Sequence, residues 1–234
     1  MNVPPRRSPV LRGVGLAKRF RTPDGRVLDV LRGVDVTLAP GELVAVVGRS
    51  GSGKSTLLNL LGCLDRSDGG ELSFGDERLT SAGRGPRARF RGRHLGLVFQ
   101  AYHLIPELTV WENVLLAARY VGRARAEAED AARTLLERLG VSARVAHYPP
   151  TLSGGEQQRV AFCRAMLNDP AVILADEPTG NLDEENAGVL LAELRARAHD
   201  GGSAVLLVTH SADLARTADR VLMLTDGRLT SVGP

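Results

Sequence analysis

The sequence of 234 residues predicts an α/β fold with a mostly parallel sheet, an antiparallel N-terminal β region and an inserted α-helical subdomain. Three observations favour this class. Short, continuously apolar runs at 43–47, 171–175 and 204–208 are typical of strands buried on both faces of a parallel sheet. Helical patterns alternate with these strands, as crossover connections require. From 101 to 165 helical patterns dominate without a comparable strand, which indicates a helical subdomain inserted into the sheet domain.

The first hundred residues alternate between strands and turns, which predicts the antiparallel β region and the start of the sheet. A Pro23-Asp24-Gly25 turn separates two runs of alternating polar and apolar residues. Strands are predicted at 10–14, 27–38, 43–47, 71–74 (as an edge strand) and 95–99, with a helix at 56–64.

The second half predicts a group of helices and then a return to strand–helix alternation. Gly140 follows a long helical pattern as a C-terminal glycine does, and Pro149-Pro150 interrupts the chain before the next helix. Helices are predicted at 109–120, 124–139, 155–167 and 190–198, strands at 171–175 and 204–208, and a closing hairpin at 221–224 and 228–232. We assign 1–234 to one domain, with 10–100 and 166–234 as its core lobe and 101–165 as its helical subdomain.

The composition favours a globular protein that neither crosses a membrane nor binds nucleic acid. Hydrophobic residues make up 43% and charged residues 24% of the chain, values typical of globular domains. A net charge of +3 is too small an excess to favour nucleic-acid binding. No apolar stretch approaches the roughly 20 residues that span a bilayer. Residues 1–10 lack the apolar region of a signal peptide, and Cys63 and Cys163 have no metal-ligand spacing.

The densest basic stretch lies between residues 78 and 93. It either faces an anionic lipid surface or a partner, or it is a solvated loop and helix face, and we favour the solvated face. Its arginines are Arg78, Arg84, Arg87, Arg89, Arg91 and Arg93.

A glycine-rich run after the strand at 43–47 fits the phosphate-loop pattern G-x-x-x-x-G-K-[ST] in a strand–loop–helix context. Its glycines let successive backbone N–H groups point inward, and the next helix directs its unpaired N–H groups to the same place. Only Lys18 and Lys54 are lysines in this arginine-rich chain, and lysine supplies a compact charge where the broad guanidinium would not fit. We predict that Lys54 bridges the β- and γ-phosphates and that the Ser55 hydroxyl binds Mg²⁺. The alternative is a glycine-rich turn before a helix. The run is Gly48-Arg49-Ser50-Gly51-Ser52-Gly53-Lys54-Ser55-Thr56.

Two carboxylates, Asp176 and Glu177, follow the apolar strand at 171–175. Ligands of parallel sheets bind at the carboxyl ends of the strands, so this pair is expected close to the phosphate loop. We predict that Asp176 holds Mg²⁺, mostly through water, and that Glu177 faces the γ-phosphate and polarises the attacking water. Two carboxylates after a strand would by themselves be weak evidence for a nucleotide site. They support one here because the phosphate loop occurs in the same chain.

A second helix N-terminus without bulky side chains begins at Ser153-Gly154-Gly155, and it forms another candidate anion site. One nucleotide rarely needs two such sites. We therefore predict that this one serves the ATP of a partner subunit, so that two ATP molecules lie between two copies arranged head to tail. The alternative is a capped helix start with Ser153 as the N-cap.

Together these motifs resemble those of the nucleotide-binding subunit of ATP-binding cassette (ABC) transporters, over essentially the whole chain. Leu152 to Gln157 is similar to the family signature, and 173–178 to its Walker B strand. The resemblance implies a RecA-like P-loop NTPase fold, ATP and Mg²⁺ as cofactors, and an integral membrane permease as partner.

The resemblance also implies roles for four further residues. Gln100 would sense Mg²⁺ and link the site to the permease. Asp183 would reach across the dimer, and His210 would contact the γ-phosphate. Phe20 would stack on adenine where the family usually has a tyrosine; the ring can still stack.

The segments 100–114 and 175–183 are similar to those of the MacB/LolD branch of the family. This implies a permease with few transmembrane helices and a large extracytoplasmic domain. It also implies that ATP-driven dimer closure exports or extracts a lipoprotein, antibiotic, peptide or lipid. The chain is then expected to lie peripherally on the cytoplasmic face of the inner membrane.

Two other functions compete with transport. A DNA-repair or chromosome ATPase shares the Ser-Gly-Gly signature, but it would carry long coiled coils where this chain has about 100 residues without sustained heptads. A cassette ATPase in a non-transport role, in iron–sulfur cluster assembly or in cell-division signalling through a membrane protein, stays open. The run from Leu108 to Val114 favours a membrane partner over cluster assembly.

Overall fold

The computed structural model describes residues 10–180 and 182–232. Residues 1–9, which belong to the predicted N-terminal tail, and Asn181 lie outside the described residues. The strands are β1 (Leu11–Arg21), β2 (Val27–Leu38), β3 (Leu43–Val47), β4 (Gly69–Phe74), β5 (Glu77–Arg78), β6 (Leu95–Val98), β7 (Val172–Asp176), β8 (Ala204–Val208), β9 (Arg220–Thr225) and β10 (Arg228–Val232). The helices are α1 (Lys54–Leu61), α2 (Arg84–His94), α3 (Val110–Val121), α4 (Arg125–Arg138), α5 (Gly154–Met166), α6 (Glu184–His199) and α7 (Ala212–Ala215), with 3₁₀ turns at Ser142–Arg144 and Pro149–Thr151.

The strands form two sheets, as the sequence predicts. The larger has the order β10-β9-β3-β8-β7-β6, and all of its neighbouring pairs are parallel except the hairpin β9–β10. The smaller is antiparallel, with the order β2-β1-β4-β5. The α/β class and the antiparallel N-terminal region are thereby confirmed.

Both faces of the large sheet are buried. Side chains of successive strand residues point to opposite faces, and each face packs in its own core cluster. Val46, Leu174 and Leu206 pack in one core cluster with the leucines of α1. Ile173 and Leu207 belong to a second cluster with residues of α3 to α6. This two-sided burial explains why the central strands are continuously apolar.

Helices α3, α4 and α5 follow one another between β6 and β7 and pack together. Their cores join the second cluster through Val114, Leu136 and Phe162, all of them buried. Within the described residues no helix is both long and apolar enough to cross a bilayer.

Several element boundaries differ from the sequence predictions. The strand predicted at 10–14 extends to Arg21, with register shifts against β2 after Gly13. The strand predicted to lie at a sheet edge, β4, pairs with β1 and with the two-residue strand β5, so that prediction was wrong. Helix α6 begins at Glu184 and not at 190, because Asp183 caps it and accepts from Asn186 N.

The arginine stretch on α2 is only partly a solvated face. Arg84, Arg89 and Arg93 are exposed as predicted. Arg87 is buried and donates to the Asp65 carbonyl, and Arg91 donates to the Cys63 carbonyl at 2.9 Å. These two guanidinium groups bind carbonyls just beyond the C-terminus of α1, which favours cations.

Candidate active site

The site lies at the carboxyl edge of the large sheet, where loops after four adjacent parallel strands meet. The phosphate loop follows β3, Thr209 and His210 follow β8, Glu177 follows β7 and Gln100 lies shortly after β6. The strand order places β8 between β3 and β7, so the loop, the histidine and the carboxylates come from neighbouring positions. This is where parallel sheets bind ligands.

Two glycines give the phosphate loop its shape. Gly53, the N-cap of α1, has a φ of +101°, which side chains other than glycine's strongly disfavour. At Gly48 a Cβ would lie 2.5 Å from the Leu224 carbonyl oxygen and 2.9 Å from Ser52 Oγ. The loop is therefore held against β9 at a point that no side chain can enter.

The loop presents hydrogen-bond donors that no acceptor in the described residues satisfies. The N–H groups of Lys54, Ser55 and Thr56 open α1 and have no intrahelical partner. Ser52 Oγ is buried without a partner among the described residues. Lys54 Nζ donates to the carbonyls of Gly48 at 2.9 Å and Arg49 at 3.0 Å, which folds its ammonium group back over the loop. Such an arrangement suits a polyanion.

Asp176, the last residue of β7, faces the start of α1. Its carboxylate lies close enough to the Ser55 side chain for that hydroxyl to act on its pKa. Burial raises the pKa of Asp176, and the negative charge of Glu177 raises it further, while the Ser55 hydroxyl and the Lys54 charge act in the opposite direction. Two oxygen donors are thus already adjacent in a partly buried position.

Glu177 is held by the loop after β8. Its Oε1 lies 2.7 Å from His210 Nδ1, and its Oε2 accepts from Thr209 Oγ1 at 3.2 Å. The carboxylate is 14% exposed and the histidine 74% exposed, so the imidazole reaches the solvent side. Glu177 has a φ of +43°, and its N–H donates to the Val208 carbonyl at 2.9 Å. The backbone therefore turns sharply at the point where the carboxylate is presented.

Gln100 and Phe20 lie on exposed segments at the border of this arrangement. The amide of Gln100 lies beside Gly180, in the segment that follows Glu177. The Phe20 ring is 43% exposed, and Lys18 Nζ lies 5.3 Å from its centroid. A cleft of about 1210 Å³ opens beside Arg49, Ser50 and Gly51 and is also lined by His210, but Phe20 is not part of its lining.

Ser153 forms the N-cap of α5, so the capping alternative raised from the sequence is present in the structure. Its Oγ accepts from Glu156 N at 3.2 Å, and Glu156 Oε2 accepts from Ser153 N at 2.8 Å. Gly155 lies next to Asn186 at the start of α6, and Asn186 is bonded to Asp183. Gly155 thus stands beside the segment that carries Asp183.

Sequence reasoning missed two residues of this neighbourhood. Thr209 is fully buried, and its hydroxyl orients Glu177, but a threonine at a strand end carries no signal of that contact. Arg144 forms an ion pair with Glu156 at 2.7 Å. The two residues are twelve positions apart in sequence, so no helical spacing predicts their contact.

Comparisons with known proteins agree with this geometry. A family model described as ABC transporter matches residues 31–180. The lipoprotein-releasing system ATP-binding protein LolD of Ruegeria pomeroyi is 47% identical over 225 residues, which cover 95% of this chain and 98% of that protein. The macrolide export ATP-binding/permease protein MacB of Rhodopseudomonas palustris is 47% identical over 219 residues. That alignment covers 93% of this chain but only 33% of MacB, so this chain spans a third of the length of that relative.

Among solved structures, the dimeric bacterial ABC transporter cassette MJ0796 has a TM-score of 0.90 at 33% identity, covering 95% of this chain and 98% of that chain. A second structure of the same cassette, with equal similarity, is a dimeric post-hydrolysis state bound to ADP and Pi. These matches confirm the resemblance inferred from the motifs, including its MacB/LolD branch. The chain therefore belongs to the ABC transporter family, as an ATP-binding ATPase of the LolD and MacB type.

Proposed function

We propose that this chain hydrolyses ATP in a site shared between two head-to-tail copies and couples the closure of that dimer to a membrane permease. One observation carries the proposal. Glu177, held 2.7 Å from His210, and Asp176, beside Ser55, lie together on the sheet edge where the phosphate loop leaves β3.

The phosphate loop binds the triphosphate. Its unpaired N–H groups and the N-terminus of α1 attract anions, and Lys54 exchanges its two carbonyl contacts for the β- and γ-phosphates. Arg49 and Ser50 lie on the exposed side of the loop, beside the cleft. Phe20 is the candidate for stacking on adenine because its ring is exposed.

Ser55 and Asp176 are the candidate protein ligands for Mg²⁺, with Gln100 as a further candidate. Hydroxyl and carboxylate oxygens are the donors that this ion prefers, and it usually retains water and phosphate oxygens as well. Consistent with that, no group of three or more His, Cys, Asp or Glu side chains in the described part of the chain could hold a metal alone. A divalent cation would offset the burial that raises the pKa of Asp176.

Glu177 is the candidate general base. Thr209 and His210 hold its two carboxylate oxygens, which directs the group from the end of β7 toward the edge of the sheet. A positioned base typically contributes about 10²–10⁴ in rate. Within the described residues no contact is recorded for the other nitrogen of the exposed His210 ring, which we propose meets the γ-phosphate.

Ser153, Gly154, Gly155 and Asp183 are proposed to act on the nucleotide of the second copy. Their position at the start of α5 and α6 supports this role, and the dimeric state of the similar cassette supports the pairing. We further propose that the core lobe comprises 10–100 and 166–234, and the helical subdomain 101–165.

The names of the relatives support an export or extraction role. LolD is named for lipoprotein release, and MacB for macrolide export with a permease in the same chain. We therefore propose a permease partner, a peripheral position on the cytoplasmic face of the inner membrane, and a lipoprotein, antibiotic, peptide or lipid as cargo. No observation favours the cluster-assembly or cell-division alternatives over transport.

Glu177→Gln tests the shared site. It should abolish turnover and trap an ATP-bound dimer, seen as a doubled mass in size-exclusion chromatography with light scattering. Lys54→Ala is the companion variant, since it should lose hydrolysis and remain monomeric with ATP. A Glu177→Gln protein that binds ATP as a monomer would contradict the shared site, and residual turnover in Lys54→Ala would contradict the phosphate-loop assignment.

A further inference from the structure

Glu156, the glutamate that caps α5 together with Ser153, forms an ion pair with Arg144 that the capping motif does not require. Arg144 Nε lies 2.7 Å from Glu156 Oε1, while the other carboxylate oxygen of Glu156 accepts from Ser153 N at 2.8 Å. The Arg144 side chain is 46% exposed and that of Glu156 is 18% exposed. Arg144 therefore neutralises a carboxylate that stands within the first turn of the proposed anion site.

A second helix of the same chain shows that such a cap forms without an arginine. At the start of α3, Glu112 Oε2 accepts from Thr109 N at 2.8 Å, and Glu112 N donates to Thr109 Oγ1 at 3.3 Å. Glu112 forms no ion pair among the described residues, although the charge of Arg119 contributes to lowering its pKa. The α3 cap has one further bond, in which Thr109 Oγ1 donates to Glu112 Oε2 at 2.8 Å, whereas at α5 the carboxylate of Glu156 is held by Arg144. The capping bonds themselves therefore form without an ion pair to arginine.

Arg144 is held firmly on the body of the helical region. Its neighbour Val145 accepts from Trp111 N at 3.1 Å, and the carbonyl of His147 accepts from Val110 N at 2.8 Å. These bonds satisfy two of the N–H groups that a helix N-terminus leaves unpaired. The backbone that follows Arg144 is thus bound to the start of α3, and its guanidinium group to Glu156 of α5.

The Ser153 hydroxyl connects the Arg144–Glu156 ion pair with anion binding. Ser153 Oγ accepts from Glu156 N, and its own proton can turn either toward the Glu156 carboxylate, whose pKa it helps to lower, or outward to an anion. An unneutralised Glu156 would repel that same anion. The pKa of Glu156 is lowered to about 2, first by the Arg144 bond and then by Ser153 N–H, so the carboxylate is charged at neutral pH.

We propose that Arg144 is a positioning residue that holds and neutralises Glu156, so that Ser153 can bind the γ-phosphate of the ATP held by a second copy. This inference rests on the shared site proposed above. Loss of the Arg144 charge leaves one uncompensated carboxylate facing each of the two nucleotides of the dimer. We expect each to weaken the dimer roughly fivefold, which is the upper range for a partly exposed pair.

The test uses the Glu177→Gln protein as parent, with ATP and Mg²⁺, and measures the protein concentration at half-dimerisation by sedimentation velocity. Adding Arg144→Ala should raise that concentration on the order of tenfold or more, for two pairs of this kind, and leave ATP binding to the monomer unchanged. Arg144→Lys should restore much of the loss. Adding Glu156→Gln to Arg144→Ala should also restore dimerisation, because glutamine removes the repelling charge and keeps an oxygen for Ser153 N.

Arg125→Ala is the matched control, because Arg125 forms an equally short 2.7 Å pair with Glu129 on the surface of α4, and it should leave dimerisation unchanged. A dimerising parent that is unaffected by Arg144→Ala would overturn this inference alone. Failure of Glu156→Gln to rescue would overturn the electrostatic reason. A parent that stays monomeric at saturating ATP would overturn the shared site and this inference with it.

Discussion

Thr209→Val removes one of the two contacts that orient the candidate base Glu177. The Thr209 side chain is fully buried, and valine has nearly its shape, so the substitution deletes the hydroxyl with little change in packing. Two bonds disappear: Thr209 Oγ1 to Glu177 Oε2 at 3.2 Å, and Ser211 N to Thr209 Oγ1 at 3.1 Å. His210 still holds the other carboxylate oxygen.

The expected effect is on turnover and not on binding. The bond to Glu177 is at the long end of its range, so it contributes about 1 kcal/mol to the orientation of the carboxylate. If this orientation matters only as water attacks, kcat falls about fivefold to tenfold at unchanged KM. Steady-state phosphate release at saturating ATP and Mg²⁺ measures kcat, and fluorescent-nucleotide titration measures affinity.

Two further variants decide whether the hydroxyl is the cause. Thr209→Ser keeps the hydroxyl and should retain most of the turnover. Thr217→Val removes a hydroxyl that donates only to the Leu214 carbonyl, away from Glu177, and should leave turnover unchanged. Unaltered kcat in Thr209→Val, or an equal loss in Thr209→Ser, would refute the orienting role.

Three further predictions concern binding, stability and pH. Gly48→Ala should abolish ATP binding in calorimetry, since its Cβ would meet the Leu224 carbonyl at 2.5 Å, whereas Gly188→Ala on open helix surface should bind normally. Glu193→Ala should lower the free energy of unfolding by roughly 1–2 kcal/mol in urea titration, because Arg197 loses a buried carboxylate but keeps its pair with Asp169, and water solvates the half-exposed Arg138; no measurable loss would contradict this. Because the pKa of Glu156 is lowered from 4.5 to about 2, its stabilising contribution is complete above pH 4.5 and declines as pH falls toward 2; the difference in unfolding free energy between the wild type and Glu156→Gln, measured across that range, should shrink on acidification.

The sequence predicts best what a short segment determines by itself. The phosphate loop follows from glycine spacing and from Lys54, and the position of Asp176 and Glu177 follows from the rule that parallel strands bind ligands at their carboxyl ends. The inward turn of Arg87 and Arg91 could not be predicted, because their acceptors lie 22 and 28 residues away on another element. Nor could the Thr209–Glu177 bond, which joins residues 32 apart in sequence through the pairing of β7 with β8.

The two capping boxes of this chain share a sequence motif but differ in their tertiary surroundings. The pattern of a serine or threonine followed three residues later by glutamate predicts a helix start at both Thr109 and Ser153, and both caps are present. The motif cannot distinguish them, because it predicts the same reciprocal capping bonds at both sites. The distinction comes from tertiary contacts: the fold brings Arg144 to Glu156 and places Gly155 beside Asn186. The anion site proposed at Ser153 would therefore depend on charge supplied from outside the signature segment, and a signature motif without such a cation should bind its nucleotide less tightly.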